Sequence, residues 1–367
     1  MRELRLAEGG RTMNSLRKSV LFLLVGVLGT IAFVAWAAII KGTSGADILI
    51  GDQNDPDNGE ADTIRGFDGD DIINGEKLND WISGGGGRDN IKGGDGHDTI
   101  YGDWGDDTID GDDKETNKTF TGNDTLFGGS GNDIIFGGRG NDVIFGDDGD
   151  DELYGGYVGD DANAGHNRIF GGFGNDNIMS GDGNDYIDGG QGDDTIRDSK
   201  GANRIFGGFG HDMITTGDGN DYIDGGPGND HIQDGGGGTT ANPQVLIGGS
   251  GDDNISVTGG TNLIIPGPGV DNIVLGSTTT TRGTRGSTSN AHTILIYPGD
   301  VPSGRTEFIP CQSGVTIKFI GFPAKVSIPV TTGTTKNTTT QTVTDPKTRG
   351  TYLINVTDTT GCSITRS

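Results

Sequence analysis

Isoleucine or leucine returns every ninth residue through most of this chain, and no other apolar residue keeps so fixed a place. From Gly84 the sequence reads GGGGRDNIK, GGDGHDTIY and GDWGDDTID; from Thr119 it reads TFTGNDTLF, GGSGNDIIF, GGRGNDVIF and GDDGDDELY. A third block starts at Gly171 and runs GGFGNDNIM, SGDGNDYID, GGQGDDTIR, DSKGANRIF, GGFGHDMIT, TGDGNDYID and GGPGNDHIQ. Further copies begin at Gly42, Gly66, Gly75, Gly248, Val257 and Pro266. With each copy numbered from its first residue, position eight is isoleucine or leucine throughout, while positions seven and nine vary and are often polar. One inward side chain between two outward ones is a very short strand of period two. Two such strands and two turns close a coil of 18 residues. Stacked coils then form an all-β, parallel β-roll. Helix is excluded, because a glycine-rich tract in every copy leaves no helical length.

The polar positions are as regular. Glycine at positions one, two and four predicts positive φ and tight turns. Position six is aspartate in nearly every copy: Asp47, Asp71, Asp80, Asp89, Asp98, Asp107, Asp124, Asp133, Asp142, Asp151, Asp176, Asp185, Asp194, Asp212, Asp221, Asp230, Asp253 and Asp271. Asn167, Asn203 and Asn262 replace it, so those turns are expected to bind weakly or to serve as packing turns. A longer echo returns the segment from Asn167 to Gly174 at Asn203 to Gly210, a shift of 36 residues, which points to duplication in whole turns.

Composition alone points the other way. Glycine supplies 72 of 367 residues, apolar residues make up 30%, and the net charge is −27. Low hydrophobicity with high net charge marks a chain that cannot bury enough apolar surface to fold unaided. The acidity also excludes nucleic acid as a partner and favours cations. Stacked strands lie about 4.8 Å apart, so carboxylates on one edge of a roll face like neighbours. Each pair repels by about 3 kcal/mol at an effective dielectric near 20. A bound cation turns that repulsion into a bridge, and binding free energy becomes folding free energy.

These repeats resemble the RTX, or haemolysin-type, calcium-binding nonapeptides, over about Gly42 to Val274. The resemblance implies calcium ions between successive turns of one edge. Their ligands are then the position-six aspartates and backbone carbonyls of the glycine turns, a set of hard oxygen donors that suits calcium. The frame breaks at Gly51 to Asp62, Gly111 to Lys118, Gly155 to Asp161 and Asp234 to Gln244, read as surface loops. Asp52, Asp55, Asp57, Glu60 and Asp62 offer a further cation site as a second reading of the first break.

The ends of the chain differ from its middle. An apolar run, Val20 to Ile40, stands behind Arg17 and Lys18. Residues 1–37 read as a secretory signal with Ala35-Trp36-Ala37 as its cleavage pattern, or as a membrane anchor. Projected backwards, the repeat frame puts Ile40 at an inward position, so the roll is placed at 38–275 and the signal is favoured. Residues 276–290 read as a Thr/Ser/Gly linker. Within 291–367, Thr293 to Tyr297, Val315 to Phe319, Lys325 to Val330 and Tyr352 to Val356 predict a small antiparallel β-sandwich-like domain. Cys311 and Cys362 are the only cysteines, which in an exported chain suggests one disulfide. Beyond Thr281 nine basic residues face four acidic ones, a balance of about +5 that suits anionic wall polymers.

No catalytic set emerges: HExxH and GxSxG are both absent. His97 and His211 fall at position five and read as surface turn residues. Aromatics recur at position nine, and Phe127 with Phe145, and Phe136 with Tyr154, are expected to stack as a ladder; a glycan-binding stripe is the second reading. The expected protein is exported, calcium-binding and non-enzymatic, structural or adhesive at the cell surface. The alternative is a carbohydrate-binding accessory module.

Overall fold

The computed structural model describes residues 31–32, 39–51, 61–112, 122–157, 165–238, 242–269, 271–275 and the strands between 292 and 366. The chain alternates between two parallel sheets. Sheet I holds Thr63–Asp68, Trp81–Gly86, Thr99–Trp104, Thr125–Ser130 and their successors; sheet II holds Ile72–Lys77, Asn90–Asp95, Thr108–Asp110, Ile134–Phe136 and theirs. Register is set by position eight. Ile64 pairs with Ile82 and Ile82 with Ile100 in sheet I, and Ile73 pairs with Ile91 and Ile91 with Ile109 in sheet II.

The core is this double row of isoleucine and leucine from Ile40 to Ile273, buried throughout. Period two points one side chain per strand inward, and since position eight alone is aliphatic in every repeat, a slip in register would bring the often polar positions seven and nine inside. Ile40 pairs with Ile64 and is buried, as the backward projection of the frame expects. Ile64 and Leu246 also belong to the core, although they follow two of the frame breaks.

Glycine serves two separate needs. Positions two and four do take positive φ, as at Gly129 (110°) and Gly131 (132°). Position one does not. A Cβ on Gly75 would stand 2.6 Å from Asp80 Oδ2 and 2.6 Å from the Gly93 carbonyl oxygen. Space, rather than φ, demands glycine there, which corrects the expectation for that position.

The C-terminal strands also depart from the expected antiparallel sandwich. His292–Ile296 pairs in parallel with Asn262–Ile265, Val315–Phe319 with His292–Ile296, and Ser363–Arg366 with Val315–Phe319, so sheet I continues. Thr306–Pro310 joins sheet II and pairs in parallel with Thr351–Thr357. Among the described strands only Thr338–Thr344 with Thr351–Thr357 is antiparallel. Alternation along a strand gives its inward face but not its neighbour's direction. The last coil leaves a row of unpaired N–H and C=O groups, a template for whatever strand follows. The expected strand at Lys325 to Val330, both cysteines, the linker and the cleavage pattern lie outside the described residues.

Candidate calcium sites

Each coil turns twice, so the roll has two edges. The first edge leads from sheet I to sheet II and carries Asp47, Asp71, Asp89, Asp107, Asp133, Asp151, Asp176, Asp194, Asp212, Asp230, Asp253 and Asp271. The second leads back and carries Asp62, Asp80, Asp98, Asp124, Asp142, Asn167, Asp185, Asn203, Asp221, Gln244 and Asn262 at the same position. The expected ligands are thus brought together in two columns, not one. All four frame breaks fall on the second edge, and the first is continuous.

Asp62 and Gln244 were not recognised as position-six residues. Insertions separate them from their opening residues, Gly51 and Asp234, and only the pairing of the next strands restores the count. Asp62 is buried and its N–H donates to Asp80 Oδ1, which places it in the column. Of the other acids proposed beside it, Asp52, Asp55, Asp57 and Glu60 lie outside the described residues.

The two oxygens of each aspartate do different things. Oδ1 accepts the backbone N–H of the position-six residue one turn earlier: Asp89 from Asp71 at 2.8 Å, Asp107 from Asp89 at 2.8 Å, Asp133 from Asp107 at 2.7 Å and Asp151 from Asp133 at 2.8 Å. Oδ2 is buried and accepts no hydrogen bond in Asp71, Asp80, Asp89, Asp98, Asp107, Asp124, Asp133, Asp142, Asp151, Asp176, Asp194, Asp212, Asp230 and Asp253. A buried carboxylate oxygen without a donor is costly and unusual. Each such oxygen points into the cradle of the position-one glycine, shared with the carbonyl of the next turn's opening residue.

Electrostatics give the same result. Burial, with a smaller contribution from neighbouring aspartates, pushes the carboxyls of Asp80 and Asp194 up to about 8 and that of Asp124 up to about 9. Backbone N–H donation acts in the opposite direction and does not prevail. Left to themselves, many of these groups would hold protons at neutral pH. A divalent cation relieves both the desolvation and the mutual repulsion.

The residues fit calcium. At Gly75 a carboxylate oxygen (Asp80 Oδ2) and the Gly93 carbonyl oxygen converge on the open side of the glycine, and hard oxygen donors of this kind suit calcium. Among the described residues no three carboxylate, imidazole or thiolate side chains converge on one point. A cage of side chains is therefore not what these residues offer, and the remaining ligands would be backbone carbonyls. When bound, calcium supplies positive charge that bridges neighbouring turns. The chain's own part is to hold one carboxylate oxygen per turn at a fixed height on the edge.

Position five carries a second ladder that the sequence reading passed over. Its side chains accept the N–H of position five on the following turn, the reverse of the direction at position six. Asp70 Oδ1 accepts from Arg88 at 2.9 Å and Asn123 Oδ1 from Asn141 at 2.7 Å. His97, His166 and His211 do the same through Nδ1, each at 2.7 Å, to Asn123, Asn184 and Asn229. The histidines are thus ladder members rather than isolated turn residues. The signal was present, since position five is Asp, Asn or His in most copies.

The aromatic ladder forms on the outer face of sheet I. Tyr101, Phe127, Phe145 and Phe170 stack in sequence with centroids 4.7, 4.8 and 4.9 Å apart. Trp81 extends the row at one end, and Tyr186, Phe206 and Tyr222 at the other. Arg168 and Arg204 lie over rings of this row. Phe136 stacks on Tyr154 across sheet II at 4.7 Å.

Comparison with known families agrees with this geometry. The family described as RTX calcium-binding nonapeptide repeat matches residues 57–82, 83–113, 119–153, 161–196, 198–232 and 241–276, together more than half of the chain. No curated protein matches it. With the repeat, the roll and the carboxylate columns all in agreement, this chain belongs to the RTX calcium-binding repeat family.

Proposed function

We propose that this calcium-binding protein is exported and that its roll folds on binding calcium outside the cell. There it serves a structural or adhesive role and catalyses no reaction. The observation that carries this reading is the first edge: an unbroken column of aspartates, most with a buried Oδ2 that accepts no hydrogen bond. Such a column suits a compartment rich in calcium, where an ion in each cradle replaces repulsion by bridging. The basic balance beyond Thr281 supports attachment to anionic wall polymers. Residues 1–37 act as the export signal or as a retained anchor.

Far-ultraviolet circular dichroism of the full chain, titrated with calcium and then with EGTA, tests the folding step. A β signal that calcium leaves unchanged would overturn it. Fractionating cells with and without EGTA tests location; recovery of the protein only from the cytoplasm would end the export reading.

A second reading, carbohydrate binding, has one specific observation in its favour. Trp104 is 70% exposed and Phe67 45% exposed. Together they flank a cleft of about 510 Å³ that is also lined by Thr43, Ser44, Asp68 and Asp103. Exposed rings beside a few polar groups suit a sugar ring. A glycan array probed with the protein and with Trp104→Ala decides the matter, since binding that depends on Trp104 favours this reading.

A further inference from the structure

The two edges are not chemically equivalent. On the first, glycine opens each turn from Gly42 to Gly248, and aspartate always stands at position six. On the second, glycine opens the turns from Gly51 to Gly155, and the opening residues then become Ser180, Asp198, Thr216 and Asp234. Position six changes in step: Asp185, Asn203, Asp221 and Gln244. A hydroxyl at position one goes with aspartate at six, and aspartate at one goes with an amide at six. The pattern returns after two coils, from Asp198 with Asn203 to Asp234 with Gln244.

These opening side chains stand where the cation cradle lies elsewhere, since a Cβ at position one points at the Oδ2 of position six. In the Asp198 turn both carboxylate oxygens are taken. Ser180 Oγ donates to Asp198 Oδ1 at 2.8 Å, and Asn203 Nδ2 donates to Asp198 Oδ2 at 2.7 Å. Two coils on, Thr216 Oγ1 and Gln244 Nε2 both donate to Asp234 Oδ1 at 3.1 Å. Ser180, Asp198, Asn203, Thr216, Asp234 and Gln244 are all buried. In the Asp198 turn the position-six amide directs its N–H group inward, where a calcium ion needs an oxygen; the Asp234 turn is closed only in part, since Asp234 Oδ2 and Gln244 Oε1 are buried and accept no hydrogen bond. On the same edge the ammonium of Lys200 meets Asp182, one turn earlier, at 2.9 Å, so the chain supplies part of the positive charge itself.

We infer that the turn opened by Asp198 is closed by hydrogen bonds among its own side chains and takes no calcium, so that this stretch of the roll is calcified along its first edge but not evenly along its second. This rests on the calcium reading above. It does not extend to Asp185, Asp221 or Asp234, each of which keeps a buried Oδ2 that accepts no hydrogen bond.

Calcium stoichiometry of the full chain, measured by equilibrium dialysis, tests the inference. One paired variant restores the glycine–aspartate arrangement: Asp198→Gly with Asn203→Asp. It is expected to bind one more ion than the parent. A variant that keeps its β signal in calcium and gains no ion overturns the inference. Asp198→Asn guards against misfolding of the paired variant. It should leave stoichiometry unchanged, whereas Asp194→Asn on the first edge should lose one ion; loss of an ion from Asp198→Asn also overturns the inference. Binding of no calcium by the parent overturns the calcium reading itself, and this inference with it.

Discussion

Asp151 Oδ1 accepts the backbone N–H of Asp133, one turn earlier, at 2.8 Å, while Asp151 Oδ2 lies buried without a donor. One side chain thus has a structural oxygen and a ligand oxygen. Asp151→Asn keeps the first and replaces the charged second, so it is expected to lose one calcium ion with little change to the fold in saturating calcium. Asp151→Ala removes both and leaves a buried N–H without its acceptor, a further cost of about 1–3 kcal/mol. Dialysis and thermal melts of the two variants side by side check this; equal melting temperatures would refute the division of labour.

Gly128 and Gly131 test the two uses of glycine. Gly128→Ala puts a methyl group beside Asp133 Oδ2 and the Gly146 carbonyl oxygen. It is expected to weaken calcium binding at that cradle in particular. Gly131 has φ of 132° and lies against the carbonyl of Gly105. Gly131→Ala is expected to destabilise the calcium-loaded fold by about 1–3 kcal/mol through backbone strain. Calcium titration and denaturant unfolding of both variants separate the two effects.

The calcium-free chain should respond to acid in an unusual direction. Burial raises Asp107 and Asp176 to about 6, Asp80 and Asp194 to about 8 and Asp124 to about 9, from 3.8 in an open chain. The folded state then binds protons that the unfolded state releases. Without calcium, stability is greatest below pH 3.8 and falls as pH rises through those folded values. Acidifying the chain in EGTA is expected to increase β signal, and adding calcium near neutral pH to release protons. A calcium-free chain that stays equally unstructured from acid to alkaline pH would count against this.

The core row sets a stability scale. Ile144 is fully buried and paired with Leu126 and Ile169. Ile144→Val should cost about 0.5–1.5 kcal/mol and Ile144→Ala about 2–5 kcal/mol, measured by unfolding in saturating calcium. The aromatic row contributes on its outer face. A double-mutant cycle on Phe127 and Phe145, whose rings stack at 4.8 Å, should return a coupling of about 0.5–1.5 kcal/mol.

The sequence by itself determined the local unit. One aliphatic residue, an aspartate two places before it and glycines at fixed offsets admit a short strand and a tight turn and little else. These are constraints within nine residues, where period and backbone freedom act directly. The stacking of Phe127 on Phe145 was legible for the same reason, because turns of equal length repeat their outer face. What only the tertiary structure decided were relations between turns. Asp62 and Gln244 joined the columns because strand pairing restored a register that insertions hide in the sequence. The parallel course of Val315–Phe319 followed from an open sheet end rather than from its own alternation. The closure of the Asp198 turn became meaningful only when Ser180, one turn earlier, was seen to donate to the same carboxylate as Asn203, since a contact between consecutive turns has no signature inside either. The division of the aspartates into an unbroken edge and an interrupted one has the same origin. Successive repeats alternate between the two edges, so neighbours in sequence are not neighbours on an edge.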